Sequence, residues 1–204
     1  MLDPRPHRLR RPHTRSRPLP QRALEDLRYI RETMERSTFT ASPGWGQVLM
    51  GLTAIAAAFA ARRQPTETRW LAVWLIDAAI ALAIAFPATQ FKAQRAGLPL
   101  TSGPSRKFAL GFLPSIAAAI ALTAALVRAH QIALLPGLWL FLYGSAVISG
   151  AAFSIPLLRS MGACFLLTGA LALFQPAWGN LLMAVGFGGM HIVFGTWIGL
   201  KHGG

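Results

Sequence analysis

Residues 69–88 read RWLAVWLIDAAIALAIAFPA, a stretch in which Asp77 is the only acidic side chain and Arg69, at its edge, the only basic one. A helix of about 20 mostly apolar residues spans the roughly 30 Å hydrocarbon core of a bilayer, so this stretch reads as a transmembrane helix. Apolar runs of similar character lie on either side of it, at about 46–61, 108–128, 132–152, 157–175 and 178–200. The expected fold is therefore all-α, a polytopic transmembrane helix bundle of about six spans covering 46–200 with a short tail at 201–204. The first run is short and rich in alanine, but Trp45 and the Arg62, Arg63 pair bracket it as interfacial residues do. The last two runs are separated only by Gln175–Ala177, which leaves a tight re-entrant pair as the alternative to two full crossings.

Composition agrees with this class, since 53% of the residues are hydrophobic and 13% charged. Ten of the 20 Lys and Arg residues and five of the seven acids fall within the first 36 residues, so the net charge of +13 describes a tail and some loops. Residues 1–20 are dominated by Pro, Arg and His and are expected to be a disordered basic tail. Their prolines oppose the amphipathic helix of a transit peptide, and no apolar run sits early enough for a secretory signal. Residues 21–37 read as a short amphipathic helix, with Ala23, Leu27, Ile30 and Met34 in one stripe and ion pairs at helical spacing on the other faces. A helix this short needs a surface for its stripe: anionic lipid headgroups or a cytoplasmic protein partner. A linker, 38–45, leads into the first span. The lone cysteine, Cys164, lies within an apolar run and reads as a buried packing residue.

Counting Lys and Arg at the ends of the runs places the tail, Lys92, Arg95, Arg106, Lys107, Arg159 and Lys201 on one side and Arg62, Arg63, Arg69 and Arg128 on the other. The excess marks the first side as cytoplasmic, with both termini there.

Asp77 and His191 are the candidate intramembrane polar site. A carboxyl at mid-bilayer costs about 2.5 to 3.5 kcal/mol on insertion scales, so it should face the bundle interior and find a partner. Trp74, one turn away, is a candidate donor to it, and His191 in the last run is the natural titratable partner; together they would form a proton relay. Gly188, Gly195 and Gly199 form a stripe of small residues suited to close helix packing, within the chain or in a homo-oligomer. PGWGQVLMG at 43–51 aligns without gaps to PAWGNLLMA at 176–184, two stretches that open the first and last spans from opposite sides, as an inverted repeat would. No glycine-rich phosphate loop, HExxH, paired-cysteine metal site, haem motif or nucleophile elbow occurs, and the short loops offer little else. The expectation is a protein that is not an enzyme and carries neither cofactor nor metal. The arginine-rich tail has no interleaved aromatics, so nucleic acid is not an expected partner.

ALEDLRYIRETMERSTFTASPGWG, Ala23 to Gly46, resembles the start of uncharacterised bacterial polytopic membrane proteins in which a charged helix runs through a Pro-Gly-Trp-Gly turn into the first span. The resemblance implies the bacterial cytoplasmic (inner) membrane and no particular activity. Two functional readings follow. The first is a non-enzymatic multi-pass protein that docks a partner or the membrane surface through its N-terminal helix. The second is a small proton- or ion-coupled transporter or channel subunit with its site at Asp77 and His191.

Overall fold

The computed structural model describes residues 26–27, 44–95, 103–153 and 155–202. The chain divides into two compact units, Met1–Arg36 and Ser37–Gly204. In the first, Asp26 and Leu27 are helical and exposed; the rest of the 21–37 helix, including Ala23, Ile30 and Met34, lies outside the described residues, as do the 1–20 tail and most of the 38–45 linker.

The second unit is a bundle of α1 (Gly44–Arg62), α2 (Glu67–Arg95), α3 (Gly103–Arg128), α4 (Leu135–Gly150, entered through a 3-10 turn at Ile132–Leu134) and α5 (Pro156–Phe174). The last crossing is made of four consecutive pieces: a 3-10 turn at Pro176–Trp178, α6 (Gly179–Met183), a π-helical stretch at Ala184–Met190, and α7 (His191–His202). Among the described residues six helical segments are long and apolar enough to cross a membrane, so this is a multi-pass membrane protein. Pro156–Phe174 and Pro176–Lys201 are each of spanning length, so the tight turn between them joins two full segments.

Local chemistry explains the boundaries. Pro136 and Pro156 occupy the first turns of α4 and α5, where a missing N–H is no loss. Pro87 and Pro114 lie inside α2 and α3, as prolines in membrane helices often do. The end of α3 is closed by His130, held at φ 55. Its N–H donates to the Val127 carbonyl at 3.2 Å and that of Gln131 to Leu126 at 2.9 Å, the paired bonds of a Schellman cap.

Glycine decides which helices meet closely. A Cβ at Gly195 would lie 2.8 Å from the Gly44 carbonyl oxygen and 2.9 Å from the Val48 nitrogen, and one at Gly51 would lie 2.7 Å from the Gly188 carbonyl oxygen. The contacts run backwards along the two chains, so α1 packs antiparallel against the last crossing, backbone on backbone. Gly188, Gly195 and Gly199 thus sit at an interface within the chain. The two similar stretches fall at opposite ends of this antiparallel pair, and Trp45 and Trp178, which correspond in them, are both 53% exposed. A second glycine interface joins α4 to α5, where a Cβ at Gly144 would stand 2.7 Å from the Gly162 carbonyl oxygen.

The helices therefore form two groups. Helix α1 holds α2 and the last crossing; α4 holds α3 and α5; and the two groups meet mainly where the last crossing lies against α4 and α5. Phe165, Leu140, Met161 and Met183 fill that contact and are almost wholly buried. Helices α2 and α3 scarcely touch. Their outward faces carry Leu82, Phe86, Leu110 and Ile120, all exposed, as suits side chains turned toward lipid.

Candidate functional site: polar groups inside the bundle

Among the described residues three polar centres, at Asn180, His191 and Asp77, lie within the helices, besides the buried Gln47 of α1. We call the end of the bundle that carries the 63–66 and 129–131 connections the far end, and the end where α1 begins the near end.

Closest to the far end is Asn180. Its Oδ1 accepts from the indole N–H groups of Trp70 at 3.0 Å and Trp74 at 3.2 Å, and its Nδ2 donates to the Ala58 carbonyl at 3.1 Å. One side chain thus ties α1, α2 and α6. Trp70 continues the network by stacking on Trp139, with ring centroids 6.1 Å apart and planes 12° from parallel. Trp139 Nε1 donates in turn to Thr123 Oγ1 at 2.8 Å, which brings in α3 and α4. The expected bond from Trp74 to Asp77 does not form; the indole N–H is taken by Asn180, because Trp74 lies one turn nearer the far end and level with the start of α6.

Deeper, His191 and Tyr143 form a closed pair. The Phe187 carbonyl, 2.9 Å from Nδ1, can only accept, so Nδ1 carries the proton. Nε2 then accepts, and the Tyr143 hydroxyl donates to it at 2.8 Å. Phe165 and Phe187 pack on both rings, and Phe112 of α3 meets Tyr143 edge-on with centroids 5.9 Å apart. The π-helical stretch leads directly into His191 and supplies Phe187. Such widened turns in α-helices often occur at functional positions.

The third centre is Asp77, 7% exposed. Its side chain lies beside that of Thr53 on α1, and its Oδ1 has no hydrogen-bond partner. Ten residues into α2 from Glu67, it lies about 15 Å from the far end at 1.5 Å per residue, the middle of a 30 Å core. Thr53 lies nine residues from Arg62 on α1, at nearly the same depth. No hydrogen bond or ion pair joins Asp77 to His191. Both ring nitrogens of His191 are engaged, one by the Tyr143 hydroxyl and one by the Phe187 carbonyl, so the expected pair is two separate centres.

Thr53, Tyr143 and Asn180 escaped the reading of the sequence. Tyr143 had a signal, being one of only two tyrosines and the one inside an apolar run. Asn180 also had one, as the polar residue of PAWGN. Thr53 had none, because serine and threonine commonly satisfy themselves within a membrane helix. Among the described residues no three His, Cys, Asp or Glu side chains cluster as a metal site would require.

Comparison of the chain with models of protein families, with curated proteins and with solved structures finds no match. The class defined by the fold, a multi-pass membrane protein, therefore stands on the chain's own features.

Proposed function

We propose that this is a small transporter or channel subunit of a bacterial cytoplasmic membrane, in which Asp77 carries a proton or small cation at mid-bilayer. The carrying observation is the burial of this carboxyl, 7% exposed, with Oδ1 unpartnered. An unsatisfied buried polar atom costs about 1 to 3 kcal/mol, which an alanine or leucine in the same place would avoid. Intramembrane ionisable groups are retained chiefly where they handle ions or protons. Lysine and arginine bias supports an orientation with both termini in the cytoplasm.

Reconstituted protein should conduct protons or a small cation down an imposed gradient, and Asp77→Asn should abolish that flux. Undiminished flux in the variant would remove the carboxyl from the mechanism.

Leu27 favours a second reading. It is helical, 61% exposed and central to the apolar stripe of an otherwise charged segment, as a docking residue would be. On this reading the protein is a non-enzymatic membrane anchor whose N-terminal helix binds a cytoplasmic protein. Deleting 21–36 would then abolish co-purification of that protein, and its retention would exclude the reading.

A further inference from the structure

We propose that the stacked indoles of Trp70 and Trp139 are a gate over Asp77, closed in this structure toward the far end, and that the carboxyl is reached from the near end. The inference rests on the transport reading for its role.

Helix α2 places Trp70, Trp74 and Asp77 at i, i+4 and i+7, so the two indoles share a stripe with the carboxyl and lie between it and the far end. Trp74 and Asp77 are buried, and Trp70 packs against Trp74 with ring centroids 6.4 Å apart. Around them runs a layer of hydrogen bonds that reaches five of the six spans. Asn180 joins α1, α2 and the last crossing, and Trp139 with Thr123 joins α3 and α4. The Ile132–Leu134 turn touches both α2 and the Pro176–Trp178 turn, which completes the cover at this end.

The way this layer is joined makes it a gate and not a fixed plug. Trp70 donates its N–H to Asn180, within the group of α1, α2 and the last crossing. Trp139 donates its own to Thr123, within the group of α3, α4 and α5. What the two indoles offer each other across the groups is a pair of ring faces, 6.1 Å apart and 12° from parallel. Parting them orphans no buried donor, whereas parting any hydrogen-bonded joint of the layer would. Deeper in the bundle, the Tyr143–His191 hydrogen bond holds the two groups together, so the stack can open without the groups separating.

Toward the near end the cover thins. The stripe continues through Ala81, Ile84 and Ala88, which are half-exposed where Trp74 and Asp77 are buried. Helix α3, the next in sequence, scarcely touches α2. Two of these three side chains are alanines, and beyond them Oδ1 of Asp77 is buried without a hydrogen-bond partner, an acceptor that a proton or small cation would meet.

The test is thiol accessibility of Ala81→Cys in the full chain, with Cys164→Ser as background and a hydrophilic, membrane-impermeant methanethiosulfonate as probe. Under the proposed orientation the cysteine should react in inside-out vesicles and not on intact cells. Adding Trp139→Ala should raise its reaction rate on intact cells by roughly tenfold, the order of population shift that loss of one aromatic stack gives. Trp139→Phe, which keeps a ring face for Trp70, should restore closure. Tyr143→Phe, which loosens the bundle away from the stack, should leave intact cells unreactive. Reaction from both sides in the parent, or no effect of Trp139→Ala, would overturn the gate, as would opening by Tyr143→Phe to the same extent. No reaction in inside-out vesicles would overturn the near-end route. Flux in reconstituted vesicles separates this proposal from the reading it rests on: the expected labelling without flux keeps the gate and removes transport, and flux lost in Asp77→Asn with labelling indifferent to Trp139→Ala does the reverse.

Discussion

Tyr143 and His191 illustrate how a polar pair survives inside an apolar bundle. Each lone pair and hydrogen of the imidazole has a partner, and the rings around it are aromatic. Tyr143→Phe keeps the packing but leaves Nε2 without a donor. The expected loss is about 1 to 3 kcal/mol, seen as a lowered thermal midpoint in detergent. Thr196→Val, which removes a hydroxyl bonded only back to Ile192 of its own helix, should change the midpoint little. Asn180→Ala removes three interhelical hydrogen bonds at once. Bonds of this kind in membrane proteins are worth about 0.6 kcal/mol each, so the expected cost is about 2 kcal/mol by the same assay. A shift no larger than that of Asn180→Gln would show that the hub contributes little.

Among the elements, the joint between α1 and the last crossing leaves no room for side chains. Gly195→Ala would place its Cβ against the backbone of Gly44 and Val48, and backbone cannot swing aside as a side-chain tip can. Overpacking of this kind costs about 1 to 3 kcal/mol. Gly189→Ala is the control, because a Cβ added there would meet nothing within 4 Å; its midpoint should be unchanged or slightly higher as helix propensity improves. The Schellman cap offers a gain. His130 sits at φ 55, where glycine is freer, so His130→Gly should stabilise the end of α3 by about 0.5 to 1 kcal/mol. A fall in the midpoint would mean that the imidazole contributes contacts that outweigh the backbone relief. The glycine stripe at 188, 195 and 199 could be read from spacing alone. Its partner could not, because GxxxG says that a close approach occurs without saying to which helix.

For the whole molecule, orientation is the property that loop charges predict and packing does not. With Cys164→Ser as background, Arg63→Cys and Gln131→Cys should react with an impermeant maleimide on intact cells, and Arg159→Cys only after permeabilisation. The reverse pattern would invert the proposed topology. The segregation of the bundle into two groups, with α2 and α3 scarcely in contact, is a feature of this scale as well. It leaves α3 with no buried residue in its most apolar window, against 44% for α1. The lipid must cover what the protein does not.

Apolar length alone determined that the described residues form six helices able to cross a membrane and roughly where they lie, because the thickness of a hydrocarbon core imposes itself on any helix that enters it. Burial of Asp77 was also legible, since an isolated carboxyl in such a run has to turn inward. Its partner was not legible. Whether Trp74 met Asp77 or Asn180, and whether His191 met Asp77 or Tyr143, depended on how α2 and the last crossing were set against α1. Hydrogen bonds reach about 3 Å, so a rotation of one helix by a fraction of a turn redistributes every polar partner while leaving the hydropathy unchanged. Tertiary packing made that choice, and with it separated one expected proton relay into a closed histidine–tyrosine pair and a solitary acid beside Thr53.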